Sequence, residues 1–256
     1  MKFTNGYWLL KDEMTPAYAV EYGGHTVKGD ELTVYLPGKH IAGRGDALNI
    51  PMLTVKLSTP MEGVIKVSAV HHAGALYKGP FAEITNDHPH AQITETEECL
   101  TFASGSLRAV IDKTPNAYKL AFYEGDKFLT ESSFRNLAHM HNRETGKNYM
   151  VEQLLIDVDE YVYGLGERFT PFVKTDRLWK CGMKTAAQPV RLPTKTFRFI
   201  LPTRGTVSWW IMRATWPMKS PVRKWRESSS PWKGSVWTII SSAVKAQWEL
   251  WRNTQN

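Results

Sequence analysis

The stretches Leu53-Thr-Val-Lys-Leu57 and Val64-Ile-Lys-Val-Ser-Ala-Val70 lie close together in the chain. In both, apolar and β-branched residues alternate with polar or small ones, which is the pattern of a strand that buries one face. Between them stand Thr59-Pro60 and Glu62-Gly63, whose residue types favour turns. The two stretches therefore predict two strands separated by turn residues.

The same alternation recurs at short spacing over residues 1–174, and turn residues such as Pro37-Gly38, Gly105 and Thr145-Gly146 separate the runs. No long stretch of this region follows the 3.6-residue period of a helix. We therefore predict an all-β fold, an antiparallel β-sandwich, for residues 1–174. Further strands are predicted at Leu32–Leu36, Leu107–Ile111, Lys119–Tyr123 and Leu154–Val158.

The composition excludes several classes of protein. The chain has 256 residues, of which 42% are hydrophobic and 22% are charged, so it can bury a core. No apolar run reaches membrane-spanning length, and no signal-peptide core follows Met1–Gly6. Cys99 and Cys181 are too few for a disulfide framework. These features argue against a membrane protein, a small disulfide-rich secreted protein and a low-complexity linker.

The net charge of +7 is distributed unevenly along the chain. Residues 1–174 hold 17 Lys and Arg against 22 Asp and Glu, a net charge of −5, whereas residues 175–256 hold 15 against 3, a net charge of +12. All ten Tyr and all eight His precede the division, and nine of the ten Trp follow it. A basic tail usually indicates an anionic partner. A simultaneous change in Tyr, His, Trp and acidic content indicates instead that the tail arose from a different reading of the gene.

Histidines and carboxylates are the candidates for chemistry before residue 174. Two histidines at i and i+2 of a strand share a face, but a metal site needs further ligands of fixed geometry, and none is identifiable. We therefore predict no metal and no cofactor, and we expect these histidines to be solvated on loops or edges. The carboxylates Asp157, Asp159 and Glu160 form a cluster, but Asp157 and Asp159 alternate with the apolar Ile156 and Val158, which suits the wet face of a strand better than a catalytic pair. The histidine groups are His71-His72, His88-Pro89-His90 and His139-Met140-His141.

The most distinctive string is Tyr163-Gly164-Leu165-Gly166-Glu167-Arg168-Phe169. Its residue types alone predict a strand that ends in a tight turn, because glycine permits positive φ and a close approach of backbones. The string resembles a signature of glycoside hydrolase family 31, found near the end of the N-terminal domain. Asn148–Leu154 resembles the same family, and Pro51–Leu57 and Pro60–Gly63 resemble its α-xylosidase branch. The resemblance extends in order over about residues 1–174.

This resemblance implies a galactose-mutarotase-like β-sandwich that precedes a catalytic (β/α)8 barrel. The family cleaves α-glycosidic bonds with retention, using two barrel aspartates, and a retaining mechanism needs such a pair close together. The barrel would begin after the end of this chain, so no catalytic residue is carried over and the chain alone is expected to be an inactive, incomplete sandwich.

For the longer parent protein, the resemblance implies a cytoplasmic α-xylosidase with an α-xyloside substrate, and it is compatible with a homo-oligomer. Two alternatives stay open. One is an α-glucosidase or transglucosidase that acts on an α-glucoside, and the other is a non-catalytic carbohydrate-binding module.

Beyond Lys174 the resemblance stops, and the genetic code offers a reason. Suppose that each original codon consisted of the third base of one tail codon and the first two bases of the next. The single Trp codon ends in G and Lys codons begin with AA, so Trp179-Lys180 then requires an original GAA codon, which encodes Glu. Across Thr175–Ala187 the shifted frame permits Asn-Gly-Gln-Thr-Val-Glu-Met-Trp-Asn-Glu-Asp-Gly-Gly, which closely resembles the segment that follows the signature in family 31. We therefore predict that residues 175–256 are an out-of-frame, poorly structured tail and not a native domain.

The rival interpretation treats residues 175–256 as a basic, Trp-rich module. Arginine and lysine interleaved with aromatic residues, as in Arg223-Lys-Trp-Arg226, can bind single-stranded nucleic acid or an anionic membrane surface. A native module should also show patterned faces, and the tail follows neither a strand nor a helix period. We therefore predict neither a nucleic-acid partner nor a membrane partner.

Overall fold

The computed structural model describes residues 3–5, 9–71, 90–156, 160–164 and 172–173, and beyond them the backbone of residues 178–181, 198–202, 207–210, 216–219, 225–226 and 235–241. The described part is nearly all antiparallel sheet, so the all-β prediction is confirmed. In this part the helical structure is one 3-10 turn, Arg44–Ala47.

The strands of residues 1–174 are numbered in chain order. They are β1 (Thr4–Asn5), β2 (Leu9–Leu10), β3 (Met14–Tyr18), β4 (Gly24–Lys28), β5 (Glu31–Pro37), β6 (Met52–Met61), β7 (Val64–Val70), β8 (Gln92–Glu95), β9 (Cys99–Ser104), β10 (Leu107–Asp112), β11 (Leu120–Glu124), β12 (Lys127–Ser132), β13 (Leu137–Asn142), β14 (Asn148–Glu152) and β15 (Val162–Gly164).

Six further strands follow residue 174. They are β16 (Leu178–Cys181), β17 (Arg198–Pro202), β18 (Val207–Trp210), β19 (Trp216–Lys219), β20 (Trp225–Arg226) and β21 (Ser235–Ser241).

Two large sheets enclose the core. One has eight strands in the order β15-β17-β18-β21-β7-β6-β5-β4, and the other has five in the order β12-β11-β10-β9-β8. Burial alternates along β5, β9 and β10, as expected for strands with one buried face. Their inward side chains belong to a single cluster of buried residues that includes Leu57, Phe102 and Phe122. The stretches 53–57 and 64–70 that decided the fold form β6 and β7, which pair with each other.

A smaller sheet, β14-β13-β3, packs against this sandwich. One of its faces contributes Leu137 and Met150 to the main core. The opposite face belongs to a second cluster, in which the Phe3 and Tyr149 rings meet edge to face with centroids 5.4 Å apart. The middle strand of the small sheet, β13, is therefore buried on both faces from Leu137 to Met140.

The predicted strand Leu154–Val158 was wrong in its described part. Strand β14 ends at Glu152, and residues 153–156 form a connection in which the amide of Leu155 donates to the carbonyl of Glu131, 2.9 Å away. Leu154 and Ile156 are buried in the main core. The apolar residues are thus explained by packing beside β12, without a strand ladder. Residues 157–159 lie outside the described residues.

Tail strands extend the eight-stranded sheet. β21 pairs with β7 from Ser235 opposite Val70 to Ser241 opposite Val64, and β18 and β17 follow outward. The expectation of poorly defined structure after residue 174 does not hold for these strands. Without β21, strand β7 would present an edge of unpaired backbone groups, and the β-branched and aromatic residues of β21 favour a strand whatever their origin.

Two turns meet at one end of the sandwich, and there a glycine is required. Gly105 has φ of +57°, and a Cβ at this position would lie 3.1 Å from Cγ of Glu62 and 3.3 Å from the amide nitrogen of Gly63. Beside it, the buried hydroxyls of Thr59 and Ser104 are 2.7 Å apart. The turn predicted around Glu62-Gly63 is therefore confirmed, and it is fixed by contacts from the other sheet.

We expect Gly105→Ala to lower the free energy of unfolding more than Gly125→Ala does. Gly125 has nearly the same φ, +55°, but a Cβ there would meet nothing within 4 Å. Gly125→Ala should therefore cost only the left-handed conformation, about 1–2 kcal/mol, and Gly105→Ala about 1–3 kcal/mol more for overlap with its neighbours. Urea unfolding of both variants measures the difference, and equal costs would contradict the docked arrangement of the two turns.

Candidate functional site

The first part of the family-like signature forms the outer edge of the eight-stranded sheet. β15 begins at Val162, which is buried in the main core, and it pairs with β17. The structure thus places Tyr163 and Gly164 at the end of a strand, as the sequence predicts. The other five predicted signature residues, Leu165, Gly166, Glu167, Arg168 and Phe169, lie outside the described residues.

Tyr163 faces an aromatic neighbour. Its ring centroid is 5.1 Å from that of Phe172, and the two planes are inclined by 44°. Tyr163 is half-buried, whereas Phe172 is 79% exposed. Aromatic rings are enriched at binding surfaces because they present much apolar area at little entropic cost. Tyr163 was predicted as a signature residue and Phe172 was not, because nothing in the residues after Phe169 indicates that the two rings meet.

Buried carboxylates lie in the segment that leads to the signature. Glu152, at the end of β14, is 3% exposed, and Glu160, just before β15, is also buried. Glu160, the third member of the predicted carboxylate cluster, therefore lies inside the domain. Asp157 and Asp159, named with it, lie outside the described residues. A carboxylate held inside the domain cannot reach a glycosidic bond, so these two glutamates have the surroundings of structural groups.

A buried phenol lies near Glu152. The hydroxyl of Tyr118 donates to Oγ of Ser132, 3.4 Å away. Burial raises the pKa of Tyr118, and the negative charge of Glu152 raises it further. Tyr118 therefore stays a neutral hydrogen-bond donor throughout the physiological pH range, and it cannot act as a base.

The histidine groups differ from the sequence-based expectation. His90 is exposed, as predicted, and its Nδ1 lies 3.5 Å from a carboxylate oxygen of Asp30. His139, in contrast, is buried and stacks on the half-buried His71, so the expectation of a solvated side chain was wrong for His139. The missed signal is the position of His139 on β13, the middle strand of the small sheet, which is buried on both faces from Leu137 to Met140. His72 and His88 lie outside the described residues.

Two searches of the described residues bear on metals and membranes. No three His, Cys, Asp or Glu side chains in the described ranges converge in a way that could hold a metal ion. Within those ranges, no helix has both the length and the apolar character needed to cross a bilayer.

Comparisons with known proteins give a consistent result. The family model described as the glycosyl hydrolase 31 N-terminal galactose mutarotase-like domain matches residues 54–195. The alpha-xylosidase XylQ of Lactiplantibacillus pentosus is 35% identical over 178 residues, which cover 70% of this chain and 23% of that protein. An alpha-xylosidase of Emericella nidulans is 31% identical over 224 residues, which cover 80% of this chain and 29% of that protein. The chain thus spans about a quarter of the length of these relatives.

A solved structure shares the fold. It is a GH31 alpha-xylosidase from a soil metagenome, complexed with xylose, and it matches with a TM-score of 0.63 at 13% identity over 87% of this chain and 32% of that one. At this identity the likeness concerns the fold alone. The all-β arrangement of the described residues is therefore similar to that of a solved structure.

Proposed function

Because this chain belongs to glycoside hydrolase family 31 and carries that family's N-terminal galactose-mutarotase-like domain, we propose that it supplies the N-terminal domain of a retaining α-glycosidase of the α-xylosidase type. The observation that carries the proposal is the match at 35% identity over 70% of the chain to a protein named as an alpha-xylosidase. The natural substrate class is then an α-xyloside.

Bond cleavage then belongs to the part of the longer protein that corresponds to the unmatched length of the relatives. Retaining hydrolysis uses two carboxyl groups about 5–5.5 Å apart on either side of the scissile bond. Glu152 and Glu160 of this domain are buried in its interior, so a glycosidic bond cannot lie between their carboxyl groups. The domain serves the enzyme as a folded partner of the catalytic part.

We propose in addition that residues 175–256 are read out of frame. The codon correspondence around Lys174 and the abrupt change in composition support this proposal. The family match runs to residue 195, beyond Lys174. The start of the out-of-frame segment at residue 175 is therefore inferred from the codon correspondence. The +12 charge of the tail then needs no nucleic-acid or membrane partner. Strands β17, β18 and β21 are compatible with it, since a strand-forming segment can complete a sheet without having been selected to do so.

We expect the purified 256-residue chain to release no aryl group from aryl α-xyloside. The longer protein made after restoring one base near codon 174 should hydrolyse this substrate and leave the α-configuration retained. The assay measures aryl release, and a parallel assay with aryl α-glucoside separates the xylosidase from the glucosidase alternative. A mock purification from cells that lack the gene is the control. Turnover by the 256-residue chain above that control would contradict the proposed division of labour.

A further inference from the structure

Two stacked imidazole rings join the small sheet to the eight-stranded sheet. His71 directly follows β7, and His139 lies near the middle of β13. Their ring centroids are 3.8 Å apart and their planes are inclined by only 16°. His139 is 9% exposed. Two titratable rings are therefore in face-to-face contact at the junction of two sheets, and we call this pair the histidine stack.

A third imidazole lies on the same face. His141 follows His139 by two residues on β13, so the two side chains point to the same side of the small sheet. Nδ1 of His141 donates to Oδ1 of Asn148 on β14, at 2.7 Å. The face of β13 that carries His139 therefore carries a second imidazole.

The strands on both sides of β13 place neutral residues beside the stack. Ala17 and Thr15 of β3 and Met150 of β14 lie opposite the two histidines of β13. The residues that precede His71 on β7, Ala69 and Val70, are also neutral. Glu152 is the carboxylate on this face of the small sheet, and it lies two residues beyond Met150 on β14. No carboxylate of these strands is paired in register with either histidine of β13.

We propose that the histidine stack is an acid-sensitive latch, which holds the small sheet β14-β13-β3 against the eight-stranded sheet and releases it when the solution is acidified. The inference stands on the contact between His71 and His139 and does not depend on the enzymatic activity of the parent protein.

The direction of the effect follows from proton uptake. Burial, followed by the charges of His71 and His141, lowers the pKa of His139 to about 4. In the unfolded chain a histidine has a pKa of about 6.5. Between these two values the unfolded state binds more protons than the folded state, so stability falls as the pH falls through this window. Above about pH 6.5 the contribution of the neutral stack is fully present.

The latch lies upstream of the signature. β14 runs from Asn148, beside His141, to Glu152, and the connection from Gln153 then leads to β15. The connection is anchored at Gln153 by the end of β14, so release of the small sheet would leave that end of the connection unanchored. The signature strand should therefore loosen in acid before the five-stranded sheet does, since that sheet has no residue in the stack.

The test is urea unfolding of the full 256-residue chain at pH 6.5, 5.5 and 5.0. These values avoid the range in which carboxylates with lowered pKa, such as Glu21, become protonated. For the natural sequence, we expect the unfolding equilibrium constant to rise toward tenfold for each unit of pH lost. His139→Phe keeps a planar ring in the stack but cannot take up a proton, so most of this dependence should disappear. His90→Gln, at a side chain that is 92% exposed, should keep the dependence of the natural sequence.

A second measurement covers the case in which His139→Phe does not fold. Proton NMR of the natural chain follows the imidazole resonances between pH 7 and 4. In His71→Phe the resonance of His71 is absent and that of its stacking partner His139 is shifted, which assigns both. We expect one imidazole resonance to remain that of a neutral ring down to about pH 5. If every imidazole titrates near pH 6.5, or if His139→Phe unfolds with an unchanged pH dependence, the latch does not exist.

Discussion

Replacing Phe102 by alanine should lower the free energy of unfolding by about 3–5 kcal/mol, among the largest costs of a single substitution in this domain. Phe102 lies on β9 and is fully buried, with 0% of its surface exposed. On the neighbouring strand its register partner is Ala109, whose side chain is too small to fill the space that a deleted ring would leave. The free energy of unfolding therefore falls for two reasons. The favourable burial of the ring is lost, and the cavity that remains cannot be filled by its neighbours. Urea unfolding followed by far-ultraviolet circular dichroism measures it.

The matched control is Thr101→Ala, one residue earlier on the same strand. Thr101 points to the opposite, partly exposed face of β9, so its truncation should cost well under about 1 kcal/mol. A similar cost for the two variants would mean that β9 does not have its inner face toward the other sheet. The sandwich arrangement would then be wrong.

Replacing Glu21 by alanine should cost about 3 kcal/mol, because this buried carboxylate joins three separate segments. Its Oε1 accepts a hydrogen bond from the amide of Ile41 at 3.0 Å, and its Oε2 accepts one from the amide of Asn116 at 3.1 Å. Oε2 also lies 2.6 Å from Nδ1 of His40. Truncation leaves backbone donors without their acceptor, at about 1–3 kcal/mol for each buried group.

The pH dependence of this contribution has a defined sign. Burial alone would raise the pKa of Glu21, but the hydrogen bonds from His40, Ile41 and Asn116 outweigh it and lower that pKa. The stabilisation is therefore present above the pKa of an unfolded glutamate and is lost as the pH falls through the lowered value. Glu97→Ala, at an exposed carboxylate, is the control and should change stability by less than about 0.5 kcal/mol. Equal effects of the two substitutions would show that Glu21 does not join these segments.

Local alternation was sufficient to predict most strands before residue 174. The stretches at residues 32–36, 53–57, 64–70 and 107–111 fall on strands, and 119–123 overlaps β11. Burial alternates along β5 and β10, because the two-residue period is a direct consequence of strand geometry. At Leu154–Val158 the same composition misled, since a short apolar run is also what a buried connection needs. Sequence pattern alone cannot separate these two cases.

The polar interior was not predictable in this way. Glu21 finds its partners 19, 20 and 95 residues away in the chain. His139 finds His71 across two sheets. Such contacts depend on tertiary packing. A single polar residue on a strand does not change the periodicity of the sequence, so its burial and its partner cannot be predicted from the pattern. The signature residues were recognised by resemblance to a family, and of these the structure describes Tyr163 and Gly164.

The tail presents the opposite case. Its composition indicates a change of reading frame, yet several of its segments pair as strands in the eight-stranded sheet. Strand pairing requires only backbone groups and a tolerable side-chain pattern, and a β-branched run such as Val236 to Ile240 satisfies both. The pairing of these segments is therefore compatible with the proposed out-of-frame origin of the tail.

Sequencing the gene through codon 174 and for several hundred codons downstream tests most directly the claim that the chain is the N-terminal domain of a family 31 glycosidase with an out-of-frame tail. Restoring one base near Lys174 should open a continuous frame that begins Asn-Gly-Gln-Thr-Val-Glu-Met-Trp and continues into a sequence that encodes a (β/α)8 barrel. A restored frame that soon reaches a stop codon, or that encodes nothing similar to the family, would contradict the account.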